Sequence, residues 1–175
     1  MPQHEKDVVY IPCGSAVTSY ARRFTIKSAQ ANYNRFIYAD TDSIHCKGSI
    51  DNIKGVKIHD TEFNCWKHES TWDIGYFARQ KTYIEHTESG YDVKCAGMPQ
   101  RCKDLFIHSL NGTYTGELTE EQKEYLESLS DEAREFVTKK REITDFDIGL
   151  KIPEKLMPKR IKGGIILEKT TFEMR

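Results

Sequence analysis

The chain contains 175 residues, of which 38% are hydrophobic and 30% charged, and its formal net charge is −1. This length supports one sizeable domain or two small domains with a hydrophobic core. There is neither a run of about eighteen apolar residues nor a basic leader followed by an apolar segment, so the sequence predicts no membrane span and no signal peptide. The five cysteines are odd in number and form no CxxC pair, which indicates free thiols in a reducing cytoplasm. The six histidines are scattered, which argues against a zinc site.

Charge is distributed unevenly along the chain. Residues 117–135 contain eight acids and two bases, a net charge of −6, whereas residues 139–162 contain eight bases and four acids, a net charge of +4. Binding to nucleic acid depends on the local potential and not on the total charge. The near-neutral total is therefore compatible with a DNA contact by the basic segment. For most of the individual charged residues, the alternative to DNA binding is an ordinary solvated side chain.

An amphipathic helix is predicted from about Gly14 to Ala31, after a short extended run at residues 8–12. Apolar or small side chains recur at helical spacing, at Val17, Tyr20, Ala21, Phe24, Ser28 and Ala31. The opposite face carries Arg22, Arg23 and Lys27. We expect this helix to pack on the sheet that follows, with Tyr20 and Phe24 as core contacts.

A hairpin with two acids at its tip is predicted at residues 35–46. An aromatic and β-branched run ends at the turn Asp40-Thr41-Asp42-Ser43, and a second short apolar run follows. Residues i and i+2 of an extended backbone point to the same face, so Asp40 and Asp42 are candidate ligands of one divalent cation such as Mg²⁺. Asp and Ser also favour turns for local reasons, and an ordinary solvated turn is the alternative.

Residues 79–85 alternate like a strand. This pattern predicts that Lys81 and Tyr83 share one face, where an ammonium group and a phenol would suit the backbone of a nucleic acid. Basic and aromatic residues alternate in many strands, so an ordinary solvated strand is the alternative.

The second half of the chain predicts a helical insertion followed by a basic, extended segment. A capping box at Thr119 opens a helix, and the insertion covers about residues 117–141 with a break near Ser130. Residues 143–175 return to β-like composition. Their first part, residues 151–162, is basic and contains two prolines, which predicts an extended segment with Lys155, Lys159 and Arg160 as candidate phosphate contacts.

Several motifs resemble one enzyme family. The string Tyr38-Ala39-Asp40-Thr41-Asp42-Ser43 resembles the YxDTDS motif of family B DNA polymerases, and Lys81-Thr82-Tyr83 resembles their KxY motif. Residues 14–23 are similar to the segment that leads into the acidic hairpin of the protein-primed subgroup, and residues 143–175 to its β-hairpin thumb. The resemblance covers roughly residues 9–98 and 143–175, and it is to the C-terminal palm and thumb of a protein-primed polymerase of small tailed phages.

The resemblance implies an α+β fold. Residues 1–94 would form part of an antiparallel palm sheet with the acidic hairpin and a packed amphipathic helix. Residues 95–175 would form a small β-hairpin thumb with the helical insertion. The implied chemistry is phosphoryl transfer at a two-metal site that holds Mg²⁺ or Mn²⁺.

The resemblance also assigns roles to single residues. Asp42 would be the direct metal ligand, Asp40 would support the site electrostatically, and Tyr38 would pack beneath the turn. Lys81 and Tyr83 would hold the primer strand. One further side chain is a candidate phosphate contact, Lys94.

The implied partners are primer-template DNA, a dNTP, an upstream polymerase half and a terminal protein, in the cytoplasm of a bacterial host. Three kinds of family motif are absent from the sequence: an upstream DxxSLYP with the other metal-binding aspartate, the KxxxNSxYG of the nucleotide-binding helix, and the acidic exonuclease motifs. One half of a two-metal site cannot position both metals. We therefore expect that this chain alone does not polymerise DNA.

Two functions of other classes remain open. The string around Asp40 loosely resembles the opening motif of haloacid-dehalogenase-type phosphatases, in which the first aspartate is a nucleophile. That class needs an α/β fold with later motifs on parallel strands. The chain could instead be a non-catalytic module that binds DNA or docks a partner.

Overall fold

The computed structural model describes residues 10–175, and the chain divides between Glu69 and Ser70 into two compact units. Helices and antiparallel strands occur together, which confirms the predicted α+β class. No helix of the described residues is long and apolar enough to span a membrane. The domain boundary at residue 94 stays a prediction.

The first unit consists of one long helix and one short hairpin. Helix α1 covers Ile11–Ala31, strand β1 Phe36–Asp40 and strand β2 Ser43–Cys46, and a 3₁₀ turn follows at Ile50–Asn52. Of the predicted extended run at residues 8–12, residues 8 and 9 lie outside the described residues, and Ile11 and Pro12 belong to the first turn of α1. Proline is tolerated there because the first amide groups of a helix have no intrahelical acceptor.

The predicted core contacts of α1 are wrong. Tyr20 is 69% exposed and Phe24 is 42% exposed, with one face of the Phe24 ring stacked on Trp66. The buried positions of the helix are instead polar, Thr25 and Ser28. Both can be buried because each finds a hydrogen-bond partner. The Ser28 hydroxyl donates to the Phe24 carbonyl oxygen at 3.0 Å and accepts from Trp66 Nε1 at 3.1 Å, and the partner of Thr25 is described with the site below.

The second unit begins with a three-stranded antiparallel sheet in the order β3-β4-β5. Strand β3 covers Trp72–Arg79, β4 Thr82–Thr87 and β5 Gly90–Cys95. The central strand β4 is the most buried, as expected for a strand that is paired on both sides.

Three helices follow the sheet. Helix α2 covers Gln100–Asn111 and ends at Gly112, which has φ +60°, a left-handed conformation that favours glycine. Helices α3 (Glu120–Ser128) and α4 (Asp131–Thr138) lie within residues 117–141, where helices were predicted. Their separation at Leu129-Ser130 confirms the predicted break, since Ser130 caps the next helix through a bond from the Ala133 amide to its hydroxyl.

A long β-hairpin completes the second unit and confirms the predicted C-terminal hairpin. Strand β6 covers Lys151–Ile161 and pairs with β7, Gly164–Glu173. Only the base of the hairpin joins the hydrophobic core, through Ile152, Phe172 and neighbouring Met174, against side chains of α2, α4 and the sheet. The outer part is exposed on both strands.

A buried carboxylate anchors the base of this hairpin. A bulge between Ile152 and Lys155 places Glu154 at φ +69°, and its side chain is fully buried. Its oxygens accept hydrogen bonds from the Ser130 amide at 3.3 Å and from Lys169 at 3.1 Å, and Arg101 lies 3.0 Å away. Glu154 thereby connects β6 with α2, α4 and β7.

The three sheets of the described residues are antiparallel. This contradicts the alternative of a haloacid-dehalogenase-like phosphatase, because that class needs its motifs on neighbouring parallel strands.

Candidate functional site

The two aspartates lie at the tip of the β1-β2 hairpin, as predicted. Asp40 ends β1 and pairs with Ser43 at the start of β2, so that Thr41 and Asp42 form a two-residue turn. Asp42 is exposed and Asp40 is half-buried. The sequence predicted a common face for Asp40 and Asp42 on the assumption that the backbone is extended through both. The extended backbone ends at Asp40, because Thr41 has φ +28°, so this assumption does not hold in the turn.

Bonds within the turn orient Asp40. The Thr41 hydroxyl donates to Asp40 Oδ1 at 3.1 Å, and the Ser43 hydroxyl donates to the Asp40 carbonyl oxygen at 3.2 Å. Hydroxyl donors at these positions hold the turn while the Asp42 carboxylate stays accessible. The Tyr38 ring lies on β1 beside the His45 ring of β2, with centroids 5.5 Å apart.

Helix α1 holds the tip of the hairpin through Thr25. The Thr25 hydroxyl donates to the carbonyl oxygen of Thr41 at 2.9 Å, and Thr25 is 8% exposed. Sequence reasoning missed this residue. The available signal was the run Thr25, Ser28 and Asn32 at spacing i, i+3, i+7, which places three small polar side chains on one face of the helix.

A second set of hydrogen bonds joins the C-terminal end of the same helix face to the loop after β2. Asn32 donates to the carbonyl oxygens of Ser28 and Lys54 at 2.8 and 2.9 Å, and its own side-chain oxygen accepts from the Lys54 amide at 2.9 Å. Arg35 donates to the carbonyl oxygens of Lys47 and Ser49 at 2.7 and 2.9 Å. These bonds tie the loop that follows β2 to the helix and to the start of β1.

The predicted placement of Lys81 and Tyr83 on one strand face is wrong. Lys81 lies in the turn between β3 and β4 with φ +56°, and only Tyr83 lies on β4. The Tyr83 ring stacks on Phe77 at 5.3 Å. The cross-strand neighbour of Tyr83 on β5 is Lys94, so the structure brings together these two candidates, which we had not paired.

The remaining basic candidates differ in how far their charge is compensated. Lys94 Nζ lies 3.1 Å from Asp92, and Lys159 Nζ lies 2.8 Å from Glu168. The ammonium of Lys155 is 5.5 Å from the centre of the Phe172 ring. Arg160 is exposed on the outer part of β6, opposite Ile165.

The candidate residues therefore fall into two groups. The first unit carries Tyr38, Asp40 and Asp42, and the second carries the basic candidates and Tyr83. Among residues 10–175, no group of three His, Cys, Asp or Glu side chains is arranged to hold a metal ion. The two carboxylates have the donor chemistry that Mg²⁺ prefers, but they make up only part of a coordination shell.

Comparison with known proteins identifies relatives of nearly the whole chain. It is 31% identical to the DNA polymerase of Bacillus phage phi29 over 195 aligned residues, which cover 99% of this chain and 27% of that protein. It is 34% identical to the DNA polymerase of Streptococcus phage Cp-1, covering 99% of this chain and 25% of that protein. No family model matches.

Solved structures agree with the sequence relationship. Phi29 DNA polymerase complexed with primer-template DNA and incoming nucleotide substrates matches with a TM-score of 0.66 and 31% identity, over 95% of this chain and 26% of that one. The post-translocation complex of the same polymerase with primer-template DNA gives a TM-score of 0.65 at 30% identity. The chain thus spans about a quarter of the length of the relatives it matches.

Proposed function

We propose that this chain, a homologue of part of the phi29-type phage DNA polymerases, supplies half of a two-metal phosphoryl-transfer site and a grip on the primer and the product duplex. The observation that carries the proposal is the Tyr38–Ser43 motif on a tight antiparallel hairpin, in a chain whose relatives are DNA polymerases over 99% of its length. The complete enzyme would be of the protein-primed, family B type and would work in the cytoplasm of a bacterial host. Its further partners would be a dNTP and a terminal protein.

The acidic hairpin would contribute the metal ligands. The exposed Asp42 in the turn would bind a metal directly, and the half-buried Asp40 would support the site through its charge. Bound Mg²⁺ or Mn²⁺ would lower the pKa of the primer hydroxyl and stabilise the leaving pyrophosphate. A further carboxylate has to come from an upstream polymerase segment. The isolated chain is accordingly inactive as a polymerase.

The second unit would bind DNA through its basic side chains. Tyr83 and Lys94, which are neighbours across β4 and β5, present a phenol and an ammonium to the primer backbone, and Lys81 lies in the turn that begins β4. Lys155, Lys159 and Arg160 on β6 contact phosphates of the product duplex. Such contacts position the duplex and carry no sequence information.

The proposal is tested with labelled primer-template duplex, whose binding to the chain is followed by fluorescence anisotropy at several salt concentrations. We expect log K to fall linearly with log salt, because phosphate contacts release counterions. The upstream segment of phi29 DNA polymerase is then added, and primer extension is measured with Mg²⁺ or Mn²⁺. Absence of salt-dependent binding together with absence of extension would contradict the proposal.

A non-catalytic module that binds DNA is the second candidate function. The separation of the basic side chains from the acidic hairpin into different units favours it, since the second unit could bind duplex without any contribution from the aspartates. DNA binding that is unchanged by Asp42→Asn and by Mn²⁺, together with no extension in the reconstituted system, would support this candidate over the first.

A further inference from the structure

A row of aromatic rings crosses one face of the β3-β4-β5 sheet. Tyr83 on β4 lies directly opposite Phe77 on β3, and their rings stack with centroids 5.3 Å apart and planes 21° from parallel. Trp72, at the start of β3, meets the Phe77 ring edge to face, with centroids 6.0 Å apart. Both separations lie in the range in which aromatic pairs attract each other. We call Trp72, Phe77 and Tyr83 the aromatic ladder.

The aromatic ladder lies on the face of the sheet that points away from the hydrophobic core. Neighbouring residues of a strand point to opposite faces. Ile84, which adjoins Tyr83, belongs to the core, and Tyr76, which adjoins Phe77, packs against it. The three rings of the ladder are therefore on the outer face, where each is half-buried. Their packing there serves the outer face and not the core.

Gly75 makes room for the aromatic ladder. It lies between Trp72 and Phe77 on β3, and a Cβ atom at this position would be 3.0 Å from Phe77 Cε2 and 3.1 Å from Trp72 Cζ3. A glycine inside a strand weakens the strand and often marks a place where another group approaches the backbone closely. Strand β3 therefore has its glycine where the two rings require the space.

The aromatic ladder ends beside the side chains that are proposed to hold the primer strand. The cross-strand neighbour of Tyr83 on β5 is Lys94. A phenol on a solvated surface exchanges between several side-chain rotamers. The Tyr83 ring is instead stacked on Phe77, which is packed in turn by Trp72, and this contact keeps its hydroxyl group in one place.

We propose that Phe77 is a positioning residue for the primer strand. Together with Trp72 and the space left by Gly75, it holds the phenol of Tyr83 in the orientation that contacts the primer backbone. This inference rests on the proposed function, which assigns the primer contact to Tyr83. A side chain that is ordered before binding loses less conformational entropy on binding. Loss of the Phe77 ring therefore weakens the contact although Tyr83 itself is unchanged.

A double-mutant cycle tests this inference, with binding of labelled primer-template duplex followed by fluorescence anisotropy. Tyr83→Phe removes only the hydroxyl group and should weaken binding roughly three- to tenfold, the range expected for one hydrogen bond. Phe77→Leu should weaken binding to a similar extent, whereas Phe77→Tyr keeps the ring and should retain the wild-type affinity. In the Tyr83→Phe background, Phe77→Leu should change the affinity by less than about 1.5-fold, because no hydroxyl group is left to position.

Gly75→Val provides an independent way to displace the ladder. Valine favours a strand, so the backbone of β3 is retained, but its side chain occupies the space of the two rings. We expect the same loss of affinity as for Phe77→Leu.

Tyr91→Leu is the matched control for a general weakening of the sheet. Tyr91 packs against the core on the other face of the same sheet, and its ring lies 4.7 Å from the His86 ring, so this variant also loses one aromatic pair. Urea unfolding shows how far the losses of stability agree. Unchanged DNA affinity in Tyr91→Leu supports the inference, and a loss equal to that of Phe77→Leu overturns it.

Fluorine NMR of the chain labelled with 3-fluorotyrosine reports on Tyr83 without DNA or metal. The Tyr83 resonance is identified by its absence in Tyr83→Phe, and it should move in Phe77→Leu and Gly75→Val but stay in place in Tyr91→Leu. An unmoved resonance in Phe77→Leu overturns the inference, and so do additive losses in the double-mutant cycle. A moved resonance together with unchanged affinity of Tyr83→Phe supports the positioning of Tyr83 and contradicts only the primer contact of the proposed function.

Discussion

The hydroxyl of Thr25 on α1 donates a hydrogen bond of 2.9 Å to the carbonyl oxygen of Thr41, the residue between Asp40 and Asp42. A side chain sixteen positions earlier in the chain thus fixes the backbone of the acidic turn. Thr41 has φ +28°, an uncommon conformation for a residue other than glycine. Such a conformation persists where the surrounding contacts determine it, and the bond from Thr25 is one of these contacts.

Replacement of Thr25 by valine removes this bond while keeping the shape of the side chain. We expect Thr25→Val to lower the free energy of unfolding by about 1 kcal/mol, because a partly buried carbonyl loses its donor. In a polymerase reconstituted with an upstream segment, the same change should lower kcat more than it weakens DNA binding, because it displaces the aspartates. Urea unfolding and primer extension measure the two effects.

Thr18→Val is the matched control for this prediction. Thr18 is exposed on the same helix, and among the described residues its hydroxyl bonds to carbonyl oxygens one turn away, at Gly14 and Ser15. We expect no change in extension from this variant. Equal losses in both variants would show that the Thr25 effect is a general weakening of α1.

Asp42→Asn should separate catalysis from binding. The amide keeps the size of the side chain but removes the charge that a divalent cation needs, so extension by the reconstituted enzyme should fall at least about a hundredfold. Binding of duplex DNA by the isolated chain should stay within about twofold, because the basic side chains are unchanged. Retained extension by this variant would rule out Asp42 as a metal ligand.

The ion pair between Lys159 and Glu168 predicts a gain of affinity. Both side chains are about half exposed, and the pair partly neutralises a candidate phosphate contact. Glu168→Gln should therefore strengthen duplex binding roughly two- to fivefold at low salt, the range expected for one exposed pair. Lys159→Gln should weaken binding, and Arg160→Gln should reduce the slope of log K against log salt by about 1.

Fluorescence anisotropy of labelled duplex measures all three variants. Glu120→Gln is the control, since it removes one acid from α3, where Glu120 pairs with Lys123. Unchanged affinity in this control shows that the position of the charge matters. An equal gain for Glu120→Gln and Glu168→Gln would indicate that only the net charge matters, and that the hairpin makes no specific contact.

The buried Glu154 predicts a pH-dependent stability. Burial raises the pKa of its carboxyl, but the bonds from Ser130 and Lys169 and the charge of Arg101 more than offset this, so its pKa lies below the usual range. A depressed folded-state pKa stabilises the protein above the ordinary glutamate pKa, and this stabilisation is lost as the pH falls through the folded-state value. Glu154→Gln should cost about 1.5 to 3 kcal/mol at pH 7.

Urea unfolding at a series of pH values tests this prediction. The difference between the wild-type chain and Glu154→Gln should shrink as the pH falls below the ordinary glutamate range, because the wild-type carboxyl is then protonated too. Glu173→Gln is the control, since the Glu173 carboxylate lies at the longer distance of 3.8 Å from the exposed Arg175. A difference that stays constant with pH would contradict the role of the charge.

Elements with local signals were predictable from the sequence. The acidic hairpin follows from aromatic and β-branched runs on either side of Asp40-Thr41-Asp42-Ser43, and the break at Ser130 follows from a capping residue. Helix α2 was not predicted although its signal is present. Its buried positions recur at helical spacing before the terminating Gly112, at Cys102, Leu105, Phe106, Ser109 and Leu110.

The errors concern features that depend on tertiary contacts. The spacing of apolar residues in α1 predicts a helix. Which side of the helix is buried depends on the hydrogen bonds that Thr25 and Asn32 donate to carbonyl oxygens later in the chain. The turn at Lys81 has no glycine or asparagine to mark it, so the string around it resembles one continuous strand. The role of Thr25 also follows only once the hairpin tip is placed beside it.

The outer part of the β6-β7 hairpin is held at one end only. Glu154 fixes its base to α2, α4 and β7, whereas the exposed strands run on to the turn at Lys162-Gly163 and pair with each other. Bending of such a ribbon increases with distance from the anchor. Amide hydrogen exchange should therefore accelerate steadily from Ile152 towards Ile161. Such motion would let the end of the hairpin follow the contour of the duplex that it is proposed to bind, while its base stays fixed.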